Sequence, residues 1–82
     1  MQVLYFAWMR ERIGAAAEEV DPGEAATARA LIDQLKTRSE GHALAFADLT
    51  SVRCAVDQEM GDLDMAIAGA REVAFFPPMT GG

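Results

Sequence analysis

The strongest constraint on the fold is a single amphipathic helix in a chain otherwise built for short strands. Ala28, Leu31, Ile32 and Leu35 fall at i, i+3, i+4 and i+7 and form one apolar stripe. Arg29, Asp33, Gln34, Lys36 and Arg38 lie off that stripe and can face water. Thr27 suits the N-cap, with Ala26 or Glu24 as earlier starts. Lys36 and Arg38 match the negative pole of the helix dipole, and Glu40-Gly41 is expected to stop the helix. One such helix covers one face of a sheet and leaves the other open.

The remaining segments read as strands and tight connections. Residues 2–8, QVLYFAW, are β-branched and aromatic, with Val3, Tyr5 and Ala7 on one face and Leu4, Phe6 and Trp8 on the other. Both faces are apolar, as in a central strand. Arg10 to Gly14 reads as a short helical turn closed by its glycine, and Ala17 to Val20 as a second strand ended by Asp21-Pro22-Gly23. Residues 42–50 are ambiguous, with a short helical turn at Ala43–Ala47 as one reading. Val52, Cys54 and Val56 alternate with polar or small residues as a half-buried strand. Asp57 to Gly61 forms a hairpin with Met60 opening the return strand, and Ile67 to Arg71 is a tight connection around Gly69. Glu72 to Phe76 is the last strand, ended by Pro77-Pro78 because proline cannot donate to a ladder. The pattern predicts an α+β domain of the β-grasp, ubiquitin-like kind over residues 1–76. It has a mixed sheet of four or five strands, one main helix on one face, and a flexible tail at 77–82.

Composition narrows the function. With 51% apolar residues in 82, the chain supports one packed core, and a net charge of −6 argues against a nucleic-acid binder. An acidic surface suits partners that present basic patches. No stretch approaches the ~20 apolar residues of a membrane span. The apolar opening is preceded by no basic residue and runs into Arg10-Glu11-Arg12, unlike a signal peptide. The expectation is a soluble, cytoplasmic protein. His42, beside Gly41, is expected to be a plain surface residue, and the lone Cys54 a small buried hydrophobe with Arg53 on the opposite face. Asp57, Glu59, Asp62 and Asp64 gather at a turn, but Gly61 falls at the fifth position rather than the sixth and no closing Glu follows. They read as a solvated hairpin, with no metal site.

The uncharged stretch from Val73 to Gly82 holds the chemistry instead. The prolines keep the tail extended, and six residues from Pro77 reach roughly 20 Å at ~3.3 Å each. Two glycines without a Cβ thread a channel that larger side chains would block, and they deliver the Gly82 carboxylate. That group becomes electrophilic once its oxygen is made a leaving group, for instance as an acyl-adenylate. Phe75 and Phe76 point to opposite faces, so one lies in the core and the other on the uncovered face. An exposed apolar patch there marks a protein interface.

These residues resemble a known family. VLYFA followed by Arg10-Glu11, the helix with Leu31 and Leu35, the AVDQ turn and above all the ending EVAFFPPMTGG are similar to the small subunit of molybdopterin synthase over the full length. The resemblance implies a sulfur carrier that is not catalytic alone and binds no cofactor itself. An E1-like adenylating enzyme using ATP would activate the terminal carboxylate, and a sulfur-donor protein would complete a thiocarboxylate. The tail would then enter the large subunit and give its sulfur to cyclic pyranopterin monophosphate, within a heterotetramer. By position, Gly82 matches the sulfur-bearing residue, while Gly81, Thr80, Pro78 and Pro77 match the inserted tail. Phe6, Met60 and Phe76 match the surface shown to partners. Two positions depart from the family: Asp57 replaces a usual Asn, and Gly69-Ala70-Arg71 replaces an acidic Asp-Gly-Asp turn. The alternatives are a carrier for thiamine or cysteine synthesis, a ubiquitin-like modifier, and a plain binding module.

Overall fold

The computed structural model describes residues 1–78. In chain order the elements are β1 (Gln2–Tyr5), α1 (Trp8–Ile13), β2 (Ala17–Glu19), α2 (Ala28–Leu35), α3 (Glu40–Ala45), a 3-10 turn (Leu49–Ser51), β3 (Arg53–Val56), β4 (Glu59–Gly61) and β5 (Glu72–Phe76). The five strands form one sheet in the order β2-β1-β5-β3-β4, with β1 parallel to β5 and the other pairs antiparallel. This mixed sheet with α2 across one face is the β-grasp arrangement that the sequence predicts.

α2 forms where the stripe places it. Thr27 is extended, and its Oγ1 accepts from the Ala30 amide at 3.1 Å. Ala28, Leu31, Ile32 and Leu35 are all fully buried. They share one core with the sheet residues Val3, Tyr5, Cys54, Val56, Val73 and Phe75, which also takes in Met9, Phe46, Val52 and Ile67. Strand pairing sets Tyr5 beside Phe75 and Phe75 beside Cys54, so one row of the sheet runs through the core.

Three local expectations are corrected. The first strand ends at Tyr5 rather than Trp8, because Ala7 takes φ 55° and ψ −134° and turns the chain into α1. That breaks the strand alternation after Phe6 and sends Trp8 onto a helix. Next, Glu40-Gly41 does not stop α2, which already ends at Leu35; these residues open α3, whose N-cap Ser39 accepts from the His42 amide at 3.1 Å. Finally, the second strand is three residues long and stops before the buried Val20.

Gly41 explains how α1 and α3 pack. A Cβ built there would collide with the Arg12 carbonyl oxygen. A Gly-to-Ala change within a helix ordinarily gains about 1 kcal/mol. Here the obstacle is backbone, which cannot rotate away, and overpacking of this kind costs ~1–3 kcal/mol or more. Gly41→Ala is therefore expected to destabilise the domain, read as a lower urea midpoint with an unchanged slope.

Candidate functional site

The face of the sheet opposite α2 is apolar and open among the described residues. Register places Leu4 beside Ala74, Ala74 beside Ala55, and Ala55 beside Met60, a continuous row across four strands. Two alanines therefore form the floor at the centre, while Phe6, Met60 and Phe76 stand at the margins with Pro77 and Pro78. Small residues flanked by large ones make a groove of about 670 Å³, rimmed by Gln58 and Glu72. Phe6 is 47% exposed and Met60 67%, so two large apolar side chains face water. Phe76 is half-buried and its neighbour Phe75 is fully buried, as strand alternation requires.

Each sequence-predicted residue can be placed against this groove. Phe6 follows the end of β1, Met60 lies on β4 and Phe76 ends β5; all three converge on it, and Pro77 and Pro78 lead out of its end. Thr80, Gly81 and Gly82 lie outside the described residues. Sequence reasoning missed the floor residues Ala55 and Ala74, which look like filler until strand pairing sets them side by side.

The hairpin beside the groove is held by Asp57. Asp57 and Gln58 both have positive φ, 48° and 70°, in a two-residue turn between β3 and β4. The Asp57 carboxylate accepts from the Arg71 and Glu72 amides at 2.9 and 3.0 Å. That ties the hairpin to the start of β5. The Asp57 departure therefore keeps a side-chain acceptor in the turn, and the Gly69-Ala70-Arg71 departure supplies one of its donors, after a turn in which Gly69 has φ 74°.

On the α2 side of the sheet, the expectation for His42 is overturned. It is 5% exposed, and its Nε2 donates to Glu18 Oε2 at 2.8 Å while Nδ1 lies 2.7 Å from Ser39 Oγ. Tyr5 donates its hydroxyl to the same Glu18 oxygen at 2.8 Å, and the Arg38 guanidinium lies 3.9 Å from the other. Ser39 as an N-cap was the one readable signal for α3, set against the stop that Glu40-Gly41 suggests; the partner Glu18, on another element, was not readable. Burial pushes the Glu18 carboxyl up, but the hydrogen bonds from His42 and Tyr5, with the charges of His42 and Arg38, outweigh it and hold the group below its ordinary value. Burial and then the Glu18 hydrogen bond push the Tyr5 phenol far up.

A carboxyl whose folded pKa is lowered adds stability above its ordinary range, and that stability is lost as pH falls through the folded value. The domain should thus weaken below about pH 4.5, the ordinary value from which Glu18 is lowered. Glu18→Gln is expected to cost ~1–3 kcal/mol at pH 7 and to flatten the acid limb, measured by urea unfolding at pH 7 and pH 3.5. An equally steep acid limb in the variant would refute this account.

Cys54 is fully buried as expected, its thiol directed at the Asp62 carbonyl oxygen 3.3 Å away. Burial, then the Asp62 charge, pushes that thiol up, away from nucleophilic thiolate. The turn acids have separate duties, with Asp64 paired to Arg29 at 2.9 Å. Among the described residues no three His, Cys, Asp or Glu side chains are grouped to hold a metal, and no helix is long and apolar enough to cross a membrane.

Residues 3–82 match the ThiS family. The chain is 39% identical to the molybdopterin synthase sulfur carrier subunit of Escherichia coli K12 and 37% identical to that of Haemophilus influenzae, covering all of this chain and 99% of each relative. The fold is similar to the crystal structure of SAMP1 from Haloferax volcanii, with a TM-score of 0.75, 26% identity, and coverage of 100% of this chain and 98% of that one. It is also similar to a putative molybdopterin converting factor, subunit 1, from Pyrococcus furiosus, with a TM-score of 0.70, 28% identity and 95% of both chains covered. This chain therefore belongs to the ThiS family, alongside the sulfur carrier subunits of molybdopterin synthase.

Proposed function

We propose that this chain is the sulfur carrier subunit of a molybdopterin synthase, acting in molybdenum-cofactor biosynthesis through the carboxylate of Gly82. The observation that carries the reading is the line from groove to tail. Phe6, Met60 and Phe76 border an apolar docking face, and β5 runs from that face directly into Pro77-Pro78. A partner seated on the groove receives whatever follows those prolines. Full-length similarity to two sulfur carrier subunits supports the assignment of that cargo as sulfur.

The chemistry divides between the chain and its partners. A carboxylate carbon resists attack until one oxygen leaves with a good leaving group, which an ATP-dependent adenylating enzyme supplies by forming the acyl-adenylate. Sulfide-level sulfur from a donor protein then attacks the acyl carbon, AMP leaves, and a thiocarboxylate results. In the large subunit that sulfur passes to cyclic pyranopterin monophosphate. The carrier contributes docking and reach. His42 is held by Glu18 and Ser39 on the far side of the sheet, and the Cys54 thiol is buried.

Intact mass tests this reading. After incubation with the adenylating enzyme, ATP and the sulfur donor, the carrier should gain about 16 Da as sulfur replaces oxygen. Adding the large subunit and the pterin precursor should return the mass to its starting value. An unchanged mass with active partners present would overturn the assignment, and a gain that only a thiamine-pathway acceptor discharges would redirect it.

A further inference from the structure

A second groove lies on the other side of Pro77-Pro78 from the sheet face. It lies between α1 and α3, with a volume of about 580 Å³, and its lining includes Trp8, Arg12, Leu44 and Asp48. Pro77 and Pro78 line both grooves, so the base of the tail forms the ridge between them. Leu44 is 61% exposed although it sits on a helix whose neighbours Ala45 and Phe46 are buried. The Arg12 guanidinium is held over the Trp8 ring, 4.5 Å from its centroid, which fixes the direction of a long and otherwise mobile side chain.

The groove holds one cation, Arg12, and one anion, Asp48, which make no ion pair with each other. Asp48 already accepts from the Thr50 amide and hydroxyl and from the Ser51 hydroxyl, capping the turn that follows. Among the described residues Arg12 makes no ion pair. The groove thus sets an oriented guanidinium, with no ion pair among the described residues, close to Pro77-Pro78.

We propose that this groove is a second docking strip for the large subunit of the synthase. That subunit would place an apolar side chain between Trp8 and Leu44 and a carboxylate against Arg12. The inference rests on the carrier reading given above. Two observations favour one partner spanning both grooves. A protein that swallows the tail must close around Pro77-Pro78, and those residues are shared. Leu44 also stands exposed on the wall of the second groove, as Phe6 and Met60 do on the first. The sheet groove supplies apolar area, and the Arg12 pair sets orientation, since one acidic group must meet one cation at the tail.

The test is calorimetric titration of the full-length carrier and its variants with the purified large subunit. Arg12→Glu and Leu44→Asp replace exposed groups and should leave the domain folded, with a small drop in the urea midpoint for Arg12→Glu from its lost contact with Trp8. Each is expected to weaken binding about tenfold, and the two together about a hundredfold if they act independently. Arg12→Glu should also reduce the salt dependence of the affinity. Met60→Asp, on the sheet face, serves as the reference for loss of docking. If both α1–α3 variants bind within twofold of the parent while Met60→Asp does not bind, the second strip is refuted and the carrier reading stands. If the parent itself does not bind the large subunit, the carrier reading falls and takes this proposal with it. Self-association of the parent that Leu44→Asp dissolves would assign the groove to a second copy and overturn the proposal.

Discussion

Deleting Gly82 is expected to abolish sulfur loading while leaving the domain as stable as the parent. The deletion does not remove a carboxylate; it moves one. Gly81 would then end the chain, and its carboxyl carbon would fall short of the adenylating site by one residue, ~3.3 Å along an extended chain. Misplacement by about 1 Å can already cost 10²-fold in a reaction that depends on positioning. A shortfall three times as large should reduce loading below detection by intact mass. The prolines make this strict, because their fixed φ keeps the tail from stretching to compensate. Stability should stay within about 0.5 kcal/mol of the parent, the range for changes away from the core. Gly81→Val makes the complementary case: the carboxylate keeps its place, but a β-branched side chain meets the channel wall, and loading should again fail. Loading of the deletion variant at the parent rate would show that the reactive end is elsewhere.

How far the sequence already shows this fold depends on how local each signal is. Thr27 and the stripe from Ala28 to Leu35 locate α2 and its buried face, because cap and periodicity lie within one segment, while the stop expected at Glu40-Gly41 falls beyond its real end at Leu35. β5 is bounded correctly at Phe76 because Pro77 forbids its continuation. α3 was hidden because Glu40-Gly41 reads as a stop, and only the close approach of Gly41 to the Arg12 carbonyl shows why glycine is required inside that helix. His42 was misread for a related reason: its partner Glu18 is 24 residues away on β2, and nothing near position 42 announces it. The open apolar face was half legible. Alternation at Phe75-Phe76 and the apolar residues of β1 showed that a second apolar face exists. Its concave shape needs β3 paired to β5 in a register that sets Ala55 against Ala74, and long-range pairing of that kind leaves no local trace.

Phe75 and Phe76 offer the sharpest test of that face, because adjacent residues should have opposite fates. Phe75→Asp would bury a carboxylate against Tyr5 and Phe46, in contact with no cation, and should unfold the domain. Phe76→Asp places its charge on the half-buried margin of the groove, where water still reaches it in the free carrier. The carrier should therefore remain folded but fail to dock. Met60→Asp should do the same at even lower cost to the fold, since Met60 is 67% exposed on the edge strand β4. The loss at the interface has two parts. Each substitution forfeits the ~1.5–3 kcal/mol of burying a large apolar side chain. It also leaves a carboxylate that must be stripped of water without a partner, at ~2 kcal/mol or more. A total near 4 kcal/mol is about a thousandfold in affinity, enough to lose the complex at micromolar concentrations. Calorimetric titration with the large subunit measures it, and circular dichroism confirms the fold of each variant. Should Met60→Asp and Phe76→Asp both bind like the parent, the open sheet face is not where the partner sits, and the line from groove to tail loses its meaning.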